Sequence, residues 1–412
     1  MGNPNKRVVI IGGGIIGAMA AYFLHQKRWS VTIVEKDRFG CGASHGNCGL
    51  VVPSHESPLN SFSNLISGIG WMFKKDAPLF IKHRTDPAWI RWILQFIRHC
   101  ADRQRQIAAA GRAALMANTI AMYETLIQTE GIDCHWDTSG TLHLFHDKRD
   151  WSAYGANQSR ADFMKPLRRD DLCALLPSIA PGVVGAWHDP GAAMLRPDAL
   201  MSGLSGALKR NGVNIIEQTR CIGLKRKQGR AAAVQTDRGE FPAEAVVLST
   251  GAWTSRLSKA LGCRIPIQPG KGYSVTLPRI ANSPALPCFF EETRVVMTPW
   301  SDGLRLGGTM EFSGFDDTLN PFRIATLFGA LKKYLPLSLP PQIEEEWCGW
   351  RPMTWDGLPM IDHLPGTRNV ILAAGHNELG LTMAPATGRL VAEMTSKEVP
   401  HVDPFAYRIG RR

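Results

Sequence analysis

The chain of 412 residues contains no Cys-x-x-Cys pair. Its nine cysteines stand singly, at Cys41, Cys48, Cys100, Cys134, Cys173, Cys221, Cys263, Cys288 and Cys348. An odd, scattered count argues against a disulfide framework, and no Cys/His group has zinc-ligand spacing. The thiols are expected to be reduced, in a reducing compartment. Long apolar runs are also missing, since charges interrupt each stretch before the roughly 18 residues that a membrane span needs. One segment imitates a secretory signal: Lys6-Arg7 followed by VVIIGGGIIGAMAAYFL. That run holds four glycines and leads straight into a second strand pattern, so strand, turn and helix account for it better. Acidic residues are in deficit: Asp+Glu 36 against Lys+Arg 47 gives a net charge of +11. Such an excess suits nucleic acid, an anionic membrane surface or an acidic small molecule. The basic residues are dispersed and no nucleic-acid-binding motif occurs, which removes the first. There is no internal repeat and no low-complexity tract. With 44% hydrophobic and 20% charged residues, disorder and a multi-span membrane protein are excluded.

What is present is an α/β pattern at the start, the middle and the end of the chain. At about 150 residues per domain the length suggests two to three domains. Val8 to Ile11 reads as a buried parallel strand, Ile15 to Gln26 as a helix and Ser30 to Glu35 as a second strand. Together they make a βαβ unit, which implies a parallel sheet. Residues 60–130 read as mostly helical, and Cys134 to Phe145 alternates like a strand. A further α/β stretch covers residues 195–250, with Pro197 at a helix start, Asn211-Gly212 at its end and a buried strand Ala245 to Ser249. Residues 263–312 are rich in strands and turns, and residues 322–334 are helical. The last unit is Val370 to Ala374, a turn at Gly375 and a helix to about Ser396. Helical and antiparallel material lies between the α/β pieces, which points to two interleaved domains.

Gly12-Gly13-Gly14-Ile15-Ile16-Gly17 matches GxGxxG. The match alone is weak, but it follows a strand, opens a helix and precedes a strand ending in Glu35, 23 residues after Gly12. In that context it is a dinucleotide fingerprint. Gly12 allows the tight turn, Gly14 lets the backbone approach a pyrophosphate, and Gly17 lets helix and strand pack closely. The helix N-terminus offers unpaired N–H groups to phosphates. Glu35 can accept ribose hydroxyls, and a carboxylate there disfavours the 2′-phosphate of NADP. GxGxxG does not separate FAD from NAD. The small, polar segment Gly42 to Gly49 directly after the second strand suits a loop running along an extended cofactor, or an ordinary surface loop.

Further segments carry a family pattern. They are SHGNCGLVVP, GIGWMFKKDAPLFI, SGTLHLF, VVLSTGAWTSRL, PIQPGKGYSVTLP, DGLRLGGTMEFSG, WRPMTWDGLPMID and AAGHNELGLTMAPATGRLVAEM. In this order and spacing, over nearly the whole chain, the sequence resembles the FAD-dependent D-amino-acid oxidase and glycine oxidase superfamily. Within it the chain is most similar to bacterial D-amino-acid dehydrogenases of the small-subunit type.

The resemblance implies a Rossmann-like FAD-binding domain formed by residues 1–55, 160–258 and 348–412. An antiparallel-sheet substrate domain would be formed by residues 56–159 and 259–347. It implies oxidation of an amino acid by hydride transfer from the α-carbon to flavin N5. Arg351 matches the residue that binds the substrate carboxylate; read without the family, it could equally cover the sheet or pair with Glu344 to Glu346. Where glycine oxidases place a tyrosine three residues before a proline, this chain has Val296, which suggests a more apolar pocket. Tyr273 is a nearby candidate for the missing hydroxyl, or a core residue. The implied FAD contacts are Gly12, Gly14, Ile15, Ile16, Gly17, Glu35, Lys36, Ala43, Ser44, Asn47, Cys48, Gly49 and Leu50. Cys221, Gly251 and Trp253 join them from the middle segment, and Gly375, His376, Gly380, Leu381 and Thr382 from the last. His376 would act on the flavin through its side chain or only through its backbone. No metal is implied.

Arg305 stands where sarcosine oxidases carry the lysine used with oxygen, which weakens an oxidase reading. Cys348 lies one residue from the position that carries covalent flavin in those enzymes, so non-covalent FAD is favoured. Residues 66–100 combine Trp71, Met72, Phe73, Lys74, Lys75, Phe80, Trp89, Trp92 and Phe96 with Arg91 and Arg98. They read either as a surface docking on anionic lipid, where a membrane quinone takes the electrons, or as core aromatics beside solvated charges. The expected location is cytoplasmic, with a peripheral position on the inner face of the membrane under the first of these. Three functions are carried forward: a D-amino-acid dehydrogenase with D-proline or hydroxy-D-proline among its substrates, an oxygen-using oxidase of glycine, sarcosine or another secondary amino acid, and a non-enzymatic dinucleotide-binding protein.

Overall fold

The computed structural model describes residues 6–62, 78–156, 164–338 and 342–411. Two sheets organise them. The first has six strands in the order Met360–His363, Val370–Ala374, Ala245–Leu248, Arg7–Ile11, Ser30–Val34 and Asn214–Ile216. All neighbours are parallel except the edge strand Met360–His363. Its central strands read VVII and AVVL because both faces are covered. A three-stranded antiparallel sheet, Cys221–Lys227, Arg230–Thr236 and Gly239–Pro242, leads into the strand Ala245–Leu248.

The second large sheet is mainly antiparallel. Its order is Glu345–Met353, Gln268–Pro278, Gly303–Phe312, Val295–Pro299, Cys288–Phe290, Thr141–Phe145, Gly185–Asp189 and Lys165–Arg168, with Leu79–Ile81 paired to the end of Gly303–Phe312. Helix Pro321–Tyr334 covers one face, packing Leu327 and Leu331 into a core with Val275, Leu277, Leu304 and Leu306. Successive strand residues point to opposite faces. The positions between these core residues therefore face the other way.

Sequence and structure agree on the type of nearly every α/β element and differ on the seams. Lys165–Arg168 and Gly185–Asp189 belong to the second sheet rather than to the FAD-binding segment expected from residue 160 onward. The cause is Thr141–Phe145, buried along its whole length, which is paired on both sides and recruits Gly185–Asp189 as its second neighbour. Glu345–Met353 likewise carries residues 348–353 within the second sheet. Helices Asp102–Met116 and Thr119–Glu130, assigned from sequence to the substrate domain, pack on helix Gly380–Ser396 beside the parallel sheet.

Helix Gly380–Ser396 crosses helix Ile15–Gln26 closely: a Cβ on Gly388 would lie 2.6 Å from the carbonyl carbon of Met19. The same helix contains Pro385, which has no N–H to give the carbonyl of Leu381 one turn earlier. The buried Tyr123 hydroxyl donates to that oxygen instead, at 2.8 Å. An unsatisfied buried carbonyl costs about 1–3 kcal/mol. Tyr123→Phe is therefore expected to lower the unfolding free energy by about that amount in a urea titration. An unchanged midpoint would show that the carbonyl finds another partner.

Candidate active site

One cleft of about 1390 Å³ runs between the parallel sheet and the second sheet. It exceeds the roughly 300–1000 Å³ of a drug-sized ligand's pocket, which leaves room for an extended cofactor together with a substrate. The turn after the first strand forms part of its wall. Gly12 adopts φ +107°, and a Cβ there would sit 2.6 Å from the Ser249 carbonyl oxygen. A Cβ on Gly17 would lie 2.0 Å from the Gly12 oxygen. Only glycine permits either approach. Helix Ile15–Gln26 starts from an extended Gly14, which has no side chain to cap it, and its first turn holds no acidic residue. Its positive end faces the cleft. Glu35 is held by two backbone amides, Oε2 accepting from Gly13 at 2.7 Å and Oε1 from Asp37 at 3.0 Å.

The loop 42–49 lines the cleft beside this turn. Ser44 Oγ accepts from the Ile15 amide at 2.9 Å, and Asn47 bonds the backbone of Ala43, Ser44 and Gly49. The loop is tied from behind by Arg305, whose Nη1 donates to the carbonyls of His45 at 2.6 Å and Asn47 at 3.1 Å. Thr298 Oγ1 donates to the Cys48 carbonyl at 2.7 Å. At the far end of the turn the Lys36 ammonium lies 4.4 Å and the Arg256 guanidinium 5.0 Å from the centre of the Trp253 ring. Cys221 and Gly251 line the same end.

Arg351 stands in the strand Glu345–Met353, on the face turned to the cleft. Its guanidinium fills the place of a side chain on Gly272: a Cβ there would be 2.2 Å from Nη1. Nη1 donates to the Thr309 carbonyl at 3.0 Å, and no carboxylate among the described residues forms an ion pair with it. Glu345 is taken by His45 and Arg305, and no ion pair joins Arg351 to Glu344, Glu345 or Glu346. Burial pulls the Arg351 pKa below its ordinary value, with Cys48 and Glu378 opposing. A guanidinium in a cleft without a counter-ion has the geometry to take a carboxylate by two parallel bonds. Asn377 fixes the turn after Val370–Ala374 to this strand: its amide donates to Pro352 O and its Oδ1 accepts from the Thr354 amide.

Comparison with known proteins matches residues 7–394 to the family model described as FAD dependent oxidoreductase. The chain belongs to this family of FAD dependent oxidoreductases. A D-amino acid dehydrogenase of Methylobacterium nodulans is 30% identical over 96% of this chain and 96% of its own. One of Rhizorhabdus wittichii is 29% identical over 98% and 100%. Among solved structures, glycine oxidase from Geobacillus kaustophilus superposes with a TM-score of 0.77 at 24% identity, covering 99% of each chain. L-proline dehydrogenase from P. horikoshii superposes at 0.71 and 20% identity, over 96% and 94%. These likenesses establish the fold.

The residues present fit FAD. The helix start, the glycine turn closed to side chains and the anchored Glu35 would hold its phosphates and ribose, with Lys36 and Trp253 at the same end. Of the expected contacts, Gly12, Gly14, Ile15, Ile16, Glu35, Lys36, Ala43, Ser44, Asn47, Cys48, Leu50, Cys221, Gly251, Trp253, His376, Gly380 and Leu381 line the cleft. Gly17, Gly49, Gly375 and Thr382 do not. Gly17 is the packing point behind the turn, and Gly49 is pressed on Leu195 O. A Cβ on Gly375 would meet the Thr354 methyl at 2.6 Å. Thr382 is fully buried and accepts from the Val52 amide at 3.2 Å.

Two candidate side chains are engaged away from the cleft. Tyr273 borders the cleft beside Gly272, but its side chain packs in the core under helix Pro321–Tyr334 and its hydroxyl donates to buried Glu311 at 2.9 Å. The His376 imidazole is 2% exposed and bonded through Nε2 to Thr387 Oγ1 at 3.0 Å, which leaves its backbone for the cleft. Burial lowers its pKa to about 3. Cys348 turns its thiol to the Asp317 carbonyl at 3.5 Å. Trp89 and Trp92 are buried, stacked on each other and packed on Phe312, so both are core aromatics. Trp71, Met72, Phe73, Lys74 and Lys75 lie outside the described residues.

Sequence reasoning missed His55, Arg112, Glu378 and Asn377. Arg112 is 1% exposed and donates to Glu378 Oε1 at 2.5 Å and to the His55 carbonyl at 3.3 Å. Its partners lie 57 and 266 positions away in sequence, beyond any local pattern. His55 lines the cleft, and burial with nearby His143 lowers its pKa to about 4. Both His55 and His376 stay neutral in the folded protein at pH values where an unfolded chain begins to bind a proton at each, about 6.5. The unfolded state then holds more protons, so stability falls as the pH drops from about 6.5 towards 4. His376→Gln is expected to make the loss of Tm over this window shallower than in the wild type. Equal slopes would contradict a neutral, buried His376.

Proposed function

We propose that the protein is a dehydrogenase that oxidises D-amino acids at the α-carbon and passes the electrons to a quinone rather than to oxygen. The observation that carries the reading is Arg351, a guanidinium without a protein counter-ion in the same cleft as the dinucleotide turn. The D-amino acid dehydrogenases related over nearly the full length support the substrate class. Arg351 holds the substrate carboxylate in two parallel hydrogen bonds and thereby fixes the direction of the Cα–H bond. Bound FAD supplies the two-electron acceptor for the hydride lost from that carbon. The α-amine gives up a proton to solvent, and the resulting imine is open to hydrolysis by water. Hydride loss needs no side chain to remove the Cα proton, which agrees with a cleft where His376 is neutral and already bonded.

Val296 contributes an apolar patch to the wall, which favours a substrate such as a D-proline over one needing a hydroxyl contact at that point. Two further observations support a non-oxygen acceptor at a membrane surface. Arg305, at the lysine position of sarcosine oxidases, is 1% exposed and spent on the loop 42–49 rather than on the cleft. Helix Pro87–Arg98 leaves Ile90, Leu94 and Ile97 exposed, at 47%, 61% and 38%, beside exposed Arg91 and Arg98. Such a stripe suits contact with an anionic lipid surface. No helix among the described residues is long and apolar enough to cross a membrane.

Arg351→Ala is expected to retain flavin and to lose roughly 100- to 10,000-fold in kcat/KM, from two charge-assisted hydrogen bonds of about 1.5–3 kcal/mol each. Steady-state kinetics with a soluble quinone as acceptor reads this, and a peroxide assay of the wild type reads the acceptor. Normal turnover of the variant would remove Arg351 from the substrate site. Stoichiometric peroxide would replace the quinone by oxygen.

A further inference from the structure

The cleft contains a second polar group that carboxylate binding and FAD leave unused. The sheet positions Gly307, Val296, Phe289 and His143 lie side by side on four neighbouring strands, by their pairing register. Neighbouring strands are about 4.8 Å apart, so Phe289 stands one strand beyond Val296. The His143 ring stacks on Phe289 at 4.6 Å, and the His55 ring lies 5.1 Å from Phe289 and 5.5 Å from His143. His143 Nδ1 is 2.7 Å from Glu291 Oε1 and 3.1 Å from the Tyr154 hydroxyl. Glu291 Oε2 accepts from Arg294 Nη1 at 3.0 Å. His55, Tyr154, Glu291 and Arg294 line the cleft.

Two features mark this group as incomplete. The imidazole nitrogens of His55 have no hydrogen-bond partner among the described residues, although burial keeps the ring neutral and so gives it one donor and one acceptor. His143 Nε2 is buried and also lacks a partner. The cations nearby are already engaged, Arg294 with Glu291 and Arg112 with Glu378, while the carboxylate of buried Asp189 accepts from the Ser54 hydroxyl. An anionic ligand group here would meet no free counter-cation. A hydroxyl, which both donates and accepts, matches a neutral imidazole.

We infer that His55, with the His143–Tyr154–Glu291 group behind it, forms a specificity subsite for a hydroxyl carried on the side chain or ring of the amino-acid substrate. The inference rests on the proposed amino-acid oxidation. The subsite adjoins Phe289, the strand neighbour of Val296, in the cleft that Arg351 also lines. A site built to bond a hydroxyl discriminates against the analogue that lacks it, because its own polar groups are then left unpaired.

The test compares kcat/KM for 4-hydroxy-D-proline with D-proline, and for D-serine with D-alanine, in the wild type, His55→Leu and His55→Gln, with bound flavin measured for each. The expected result is a preference of at least about tenfold for the hydroxylated member of a pair in the wild type. His55→Leu brings the ratio to about one, and His55→Gln, which still donates and accepts, restores most of it. A wild type indifferent to the hydroxyl, or a ratio unmoved by His55→Leu, overturns the subsite while leaving amino-acid oxidation intact. If no amino acid in either pair reduces the flavin anaerobically, the amino-acid reading fails and the subsite with it.

Discussion

Helix Ile15–Gln26 is held at a distance that only missing side chains allow, and the rest of the site is built around it. Gly17 lets its first turn rest on the Gly12 carbonyl, and Gly388 lets helix Gly380–Ser396 lie against Met19 on the other side. The helix start consequently faces the cleft, and the turn after Val370–Ala374 is brought to the same place from the far end of the chain. Asn377 then bonds that turn to the strand carrying Arg351. A helix end that favours anions and a guanidinium that favours a carboxylate are thus coupled through a few short contacts. A volume increase at Gly17 or Gly388 would disturb both at once.

Arg305 has a comparable role on the other wall. It is a buried cation whose cost is offset by the carbonyls of His45 and Asn47, the hydroxyl of Thr276 and the carboxylate of Glu345. Removing its partners would leave a charge in a poorly solvated place. It makes the loop 42–49 part of the second sheet's back wall. The cleft is therefore bounded by segments distant in sequence that are bonded to one another through Arg305.

Much of this was legible in the sequence, for identifiable reasons. The turn at Gly12 to Gly17 announces itself because its chemistry is local: strand, glycines, helix and a carboxylate after the second strand fall within 36 residues. Arg351 was legible only through family resemblance, since nothing local separates it from a solvated arginine. Tyr273 stayed open between a hydroxyl contact and a core residue because its orientation depends on sheet register, which places Gly272 and not Tyr273 towards Arg351. The His55 group was not legible at all. It joins segments far apart in sequence, with His143 and Glu291 separated by 148 positions and His55 and Phe289 by still more, and histidines at 55 and 143 carry no shared motif. The domain seams failed for the same reason, since the partner of Thr141–Phe145 is fixed by pairing and not by composition.

The basic excess acquires a partial explanation from the site. Lys36, Arg256 and Arg351 all line the cleft, where an anionic cofactor or carboxylate would lie. The claim on which the account stands is that this cleft oxidises D-amino acids with bound FAD. The most direct measurement follows flavin absorbance of the purified protein under anaerobic conditions while D- and L-amino acids, prolines included, are added one at a time. The account predicts bleaching by D-enantiomers and none by the matching L-enantiomers. A protein purified without flavin, or one bleached only by L-enantiomers, would contradict it.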